Sequence, residues 1–142
     1  MPARVLLVDD EVDFTEVLAE RMRARGLNVD TAEDGITGIN LAKEKYYDAI
    51  ILDMAMPGMD GIETLKLLLA ENPDSQVVLL TGRATVKKSV EALKIGAVEF
   101  LEKPADIKML TNIVMEAQKR KAALFEKRME DDAAKIMKKK GW

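Results

Sequence analysis

Five short apolar runs alternate with five stretches of helical period, and this alternation limits the fold more than any other feature of the chain. The runs are Val5 to Val8, Leu27 to Ala32, Ala49 to Leu52, Gln76 to Leu80 and Ala97 to Leu101. Between them Phe14, Val17, Leu18 and Met22 recur at helical spacing, then Ile36, Ile39 and Ala42, then Ile62, Leu65, Leu68 and Leu69, then Val86, Val90 and Leu93. From Asp106 a longer stripe follows, with Leu110, Ile113, Val114 and Ala117 on one side. Short apolar runs closed by turn formers read as buried strands. Leu27 to Ala32 alternates apolar and polar residues instead, as a strand near a sheet edge does. Gly26, Asn72-Pro73 and Gly96 supply helix stops. Strands separated by helices run parallel, and right-handed crossovers lay helices on both faces of the sheet. The expected fold class is α/β, a doubly wound five-stranded parallel sheet.

At 142 residues, with 48% hydrophobic and 33% charged, the chain has room for one domain with a proper core. It has no cysteine and no histidine. Disulfides, thiolate nucleophiles, imidazole bases, Cys/His zinc sites and Ser-His-Asp triads are therefore excluded. Chemistry must run on carboxylates, hydroxyls and lysines, with or without a hard metal ion. The net charge of −3 gives no argument for nucleic acid or membrane. The four apolar residues before Asp9 are too few for a signal peptide, and no stretch approaches the roughly 20 apolar residues of a membrane span. A cytoplasmic location is expected. The average hides a split: residues 1–118 carry net −8, and residues 119–142 carry net +5.

The polar residues of interest stand at strand ends. Ile50-Ile51-Leu52 closes on Asp53, and a loop with Pro57, Gly58 and Gly61 follows. The first run stops at Asp9-Asp10-Glu11, the fourth at Thr81-Gly82, and the fifth leads into Glu102-Lys103-Pro104. In a doubly wound sheet the carboxyl ends of the strands converge on one crevice. Three carboxylates gathered there repel one another, and a bound cation relieves the repulsion. Oxygen ligands alone suit Mg²⁺. Lys103 can neutralise a phosphoryl oxygen and the Thr81 hydroxyl can donate to another. Asp53 is then placed as a nucleophile that forms an aspartyl-phosphate.

These residues resemble the receiver domain of bacterial two-component response regulators, across about residues 4–120. The likeness rests on Val-Asp9-Asp10-Glu, Leu-Asp53-Met-Ala-Met-Pro57-Gly-Met-Asp-Gly61, Leu-Thr81-Gly and Phe100-Leu-Glu-Lys103-Pro104, in that order. The resemblance implies a flavodoxin-like sheet of order 2-1-3-4-5. It implies that Asp53 accepts a phosphoryl group from a sensor histidine kinase or phosphotransfer protein. Asp9, Asp10 and Asp53 would bind Mg²⁺ together with the backbone carbonyl of Ala55. Thr81 and Phe100 would form a switch pair, Lys103 would contact the phosphate, and the Lys103–Pro104 bond would be cis. Phosphorylation would remodel the face of the fourth helix, fifth strand and fifth helix, through which an unidentified protein target is contacted. An enzyme beyond self-catalysed phosphoryl transfer and slow autodephosphorylation is not expected.

Ala55 stands where relatives often carry a longer polar residue, and Arg83 lies near the same mouth; both bear on the phosphate's lifetime. Met54, Met56 and Met59 read as gap fillers or partner-facing apolar residues, and Asp60 as a loop acid. Residues 1–120 read as the receiver and 121–142 as a basic helical extension. In that extension Phe125, Met129, Ala133 and Ile136 continue a helical stripe, turned about a quarter turn from the first. It is either a solvated helix fraying beyond Lys119 or a surface for a partner or a second copy. Three rivals remain: a phosphorylation-independent adaptor acting through that helix, a Mg²⁺ phosphohydrolase, and a nucleotide or flavin binder. No insertion is long enough for a hydrolase cap, and acids replace the glycine-rich phosphate loop.

Overall fold

The computed structural model describes residues 1–56, 58–82 and 86–141. Pro57, Arg83 and the side chain of Val86, each assigned a place by the sequence, lie outside the described residues. The chain runs β1 (Arg4–Val8), α1 (Val12–Ala24), β2 (Asn28–Ala32), α2 (Gly35–Glu44), β3 (Ala49–Asp53), α3 (Gly61–Glu71), β4 (Val77–Thr81), α4 (Val86–Ile95), β5 (Glu99–Glu102) and α5 (Ile107–Lys139). The sheet order is β2-β1-β3-β4-β5 and every pairing is parallel. The doubly wound α/β architecture is the one expected, with β2 on an edge.

Side chains alternate across the pleat, so each central strand feeds two cores. Val5, Leu7, Ala49, Ile51, Val78 and Leu80 pack with Leu18, Met22, Leu110 and Val114 of α1 and α5. Leu6, Val8, Ile50, Leu52, Val77 and Leu79 pack with Ile39, Leu65, Leu68 and Ala92 of α2, α3 and α4. Burying one of the valine, leucine, isoleucine or methionine side chains among them is worth about 1.5–3 kcal/mol relative to leaving it exposed. Burial on both faces explains why the central strands carry no polar alternation.

Three helix faces differ from the apolar spacing. Val17, Ile36 and Val90 are exposed. The sides turned to the sheet are instead built on Thr15, Leu18, Ala19 and Met22 in α1 and on Gly35, Gly38 and Ile39 in α2. In α4, Ser89 and Ala92 are buried. Small residues let a helix approach the sheet closely, and the larger apolar neighbours then fall on the rim. Asp60, read as a loop acid, caps α3 by accepting from Glu63 N–H at 2.9 Å. Met54 and Met56 are buried in the second core, as gap fillers would be. The fifth strand starts at Glu99, two residues later than the apolar run.

α5 is one helix of 33 residues, and position 120 falls inside it without a break. Asp106 caps it by accepting from Lys108 and Met109 N–H. Past that position, Lys121 Nζ donates to the Tyr47 carbonyl at 2.5 Å and Arg128 pairs with Asp74 at 2.8 Å. Phe125, Met129 and Ile136 are exposed.

Candidate functional site

Pleat parity gathers the site before any long-range contact is considered. Asp9 continues the parity of Val5 and Leu7, Asp53 that of Ala49 and Ile51, and Lys103 that of Leu101. These three side chains therefore leave the sheet on the α1/α5 side. Thr81 continues the parity of Val77 and Leu79, and Phe100 packs against the same core as they do. The expected switch pair thus shares the opposite side.

The site holds its acids with local bonds. Asp9 is fully buried, and its Oδ1 accepts from Glu11 N–H at 2.9 Å. Asp53 Oδ1 accepts from Ala55 N–H at 3.2 Å. Ligand oxygens of Asp9, Asp10 and Asp53 all lie within 4.8 Å of one another. Lys103 Nζ is 2.8 Å from Asp9 Oδ2, 2.8 Å from Glu11 Oε1 and 3.6 Å from Asp53 Oδ2. Its backbone N–H donates to the Thr81 carbonyl at 2.9 Å, which ties the β5 exit to the end of β4. The Lys103–Pro104 bond is cis, as the resemblance implied. Thr81 is fully buried, and its hydroxyl donates to the Gly82 carbonyl at 2.8 Å.

Electrostatics reflect this crowding. Burial pushes the Asp53 carboxyl up to about 7, and the charge of Asp9 pushes it the same way against the pull of Ala55 N–H and Lys103. For Lys103, burial alone lowers the ammonium, but contact with Asp9 and Glu11 outweighs it and raises the group above the usual lysine range. Asp9 Oδ2 is buried and receives no aligned hydrogen bond. Lys103 stands near it as a charge rather than as a directed donor. Three converging carboxylates with one orphaned oxygen fit a hard divalent cation, which binds oxygen and tolerates few other donors.

Two site residues carried no sequence signal for their role. Glu11 meets Lys103 across 92 residues of chain, and Phe14 places its ring 4.6 Å from the Lys103 ammonium. Phe14 was legible only as a helix-face residue and Glu11 only as an acid at a helix start.

The family model of the response regulator receiver domain matches residues 5–115. The chain is 37% identical over 113 residues to the transcriptional regulatory protein ZraR of Klebsiella oxytoca, covering 80% of this chain and 26% of that protein. It is 35% identical over 114 residues to the regulatory protein AtoC of Escherichia coli, covering 80% and 25%. The chain thus spans about a quarter of the length of these relatives. Among solved structures, a receiver domain protein from Clostridium thermocellum superimposes with a TM-score of 0.83 at 30% identity, over 86% of this chain and 98% of that one. A structure titled adenylate cyclase from Rhodopirellula baltica gives a TM-score of 0.86 at 26% identity, over 93% and 98%.

Proposed function

The chain belongs to the response regulator receiver domain family, and from that premise we propose that it is a Mg²⁺-dependent phosphorylation switch with Asp53 as acceptor. The observation that carries this reading is the convergence of Asp9, Asp10 and Asp53 within 4.8 Å, with Lys103 3.6 Å from Asp53. A carboxylate oxygen of Asp53 attacks phosphorus, the bond from phosphorus to the donor nitrogen of a phosphohistidine breaks, and the freed imidazole leaves with its electron pair. Asp9, Asp10, Asp53 and the Ala55 carbonyl would hold Mg²⁺. When bound, the cation neutralises charge building on the phosphoryl oxygens. Lys103 supplies a second fixed positive charge at the same oxygens, and Thr81 offers a hydroxyl donor.

The donor is read as a sensor histidine kinase or phosphotransfer protein, in the cytoplasm. A groove beside the site, lined by Phe14, Val17, Leu18, Arg21, Pro104 and Ala105, presents apolar surface for it. Among the described residues no helix is long and apolar enough to cross a membrane. Thr81 turning toward a phosphoryl group would vacate space that Phe100 fills, since both stand on the side of the sheet that α4 covers. That movement would remodel the surface of α4, β5 and α5 for a protein target. The unit from 1 to 120 is read as the switch, and 121–142 as an extension that carries its output to a protein or a second copy.

The test is incubation with Mg²⁺ and acetyl phosphate, followed by intact mass. One phosphoryl adduct, base-labile and absent in Asp53→Asn, is expected. Equal labelling of the variant would overturn the assignment.

A further inference from the structure

At the amino ends of β3 and β4, opposite Asp53, lies a cavity of about 300 Å³. Ile50 and Leu68 line it, together with Tyr46, Ser75 and Lys121 of α5. Lys121 is a buried cation, 7% exposed. Its ammonium donates to the Tyr47 carbonyl at 2.5 Å and stands 4.0 Å from the centre of the Tyr46 ring. Among the described residues, no carboxylate lies within ion-pair distance of it.

Both acids whose charge reaches it are committed elsewhere. Asp48 accepts from Arg4 N–H at 2.8 Å, and Asp74 pairs with Arg128 at 2.8 Å. An ammonium has three donors, and a buried charge without a counter-ion is costly. Burial accordingly holds Lys121 below the usual lysine range, only partly offset by Asp48 and Asp74. The protein surrounds this charge and leaves a ligand-sized space beside it.

We propose that this cavity binds a small monocarboxylate, its carboxylate paired with Lys121 and its short apolar body resting on Ile50 and Leu68. The volume stands at the lower end of the range for small-molecule sites. Glu44 and Glu71 also line the cavity, balanced by Lys43 and Lys45, so the only unbalanced charge in the lining is the single one of Lys121, which matches a monoanion better than a dianion such as phosphate. Lys45 adds little to attract one, since it pairs with Asp30 at 3.3 Å.

Lys121 itself is the reporter. In full-length protein with isotopically labelled lysine, titration with propionate or benzoate is expected to shift the Lys121 side-chain signals saturably and to raise its pKa. Inorganic phosphate should bind at least about tenfold more weakly, and Lys121→Gln, compared with the parent by calorimetric titration, should weaken carboxylate binding by about tenfold or more. No saturable change at Lys121, equal affinity in the variant, or phosphate binding as tightly as the carboxylates would each overturn the proposal. The titration of the unaltered protein decides the matter even if Lys121→Gln fails to fold. Its outcome does not depend on phosphorylation of Asp53, which lies at the other end of the sheet.

Discussion

The Lys103 ammonium lies 2.8 Å from Oδ2 of Asp9, the one buried side-chain oxygen among the described residues that receives no aligned hydrogen bond. In this state lysine provides the counter-charge that a divalent cation would otherwise provide. On the proposed function the two would compete for one oxygen, while phosphoryl transfer would need both at once.

Lys103→Met separates the two roles. Removing the competing charge should tighten Mg²⁺ binding by about fivefold, or ~1 kcal/mol, as read by calorimetric titration. Initial phosphorylation by acetyl phosphate should fall by about 10²–10³, the usual cost of losing one group aimed at developing charge. Unchanged Mg²⁺ affinity would show that the lysine and the cation do not share Asp9.

The pH dependence of stability follows from Asp53. Burial first, then the charge of Asp9, raises it from 3.8 to about 7. The folded state therefore keeps a proton that the unfolded chain loses, and metal-free stability falls as pH rises through that window and levels above it. Asp53→Asn removes this titration, so its stability relative to the parent should improve between about pH 5 and about pH 8 in urea melts without metal. Protons also compete with the cation, and Mg²⁺ affinity should decline below about pH 7.

Gly61 opens α3 against Met54, the residue that follows Asp53. A Cβ there would stand 2.7 Å from Met54 Cα and 3.0 Å from the Met54 carbonyl oxygen. Backbone cannot give way as a side-chain tip can, so Gly61→Ala should lose about 1–3 kcal/mol in denaturant melts and slow phosphorylation as well. Gly82→Ala is the matched control, since among the described residues nothing lies within 4 Å of a Cβ at that position. Its stability should stay within about 0.5 kcal/mol of the parent.

Truncation probes where the folded unit stops. A chain ending at Met129 keeps the Lys121–Tyr47 and Arg128–Asp74 contacts, and its stability should stay within about 0.5 kcal/mol. A chain ending at Arg120 uncovers Tyr46 and loses both contacts, at a cost of about 1–2 kcal/mol. Equal melting of the two shortened chains would place the working boundary at 120.

The strands and the acids were legible for one reason. In a parallel sheet buried on both faces, apolar runs are continuous and their polar stops all point to one crevice, so Asp9, Asp10, Asp53 and Lys103 announce themselves. Helix faces were less legible. Thr15, Gly38, Ser89 and Ala92 face the sheet because they are small, whereas an apolar count favours Val17, Ile36 and Val90, which remain exposed. Glu11 and Phe14 could not be assigned to Lys103 from spacing, because their meeting depends on how α1 docks beside the β5 exit.

α5 has a consequence of another kind. Its 33 residues extend about 50 Å at 1.5 Å per residue, whereas a five-residue strand such as β3 covers about 17 Å. The helix starts beside the Lys103 end of the sheet and is clasped at the other end through Lys121 and Arg128. It is thus a strut held at both ends of the domain, and the turns beyond Arg128 are an overhang whose heading is set by residue count. Each residue advances that heading by about 100°. Deleting one residue just after Arg128 would turn the stripe that ends at Ile136 through more than a quarter circle, with every atom around Asp53 left in place. Which way the overhang faces is a matter of phase, independent of the chemistry at the other end.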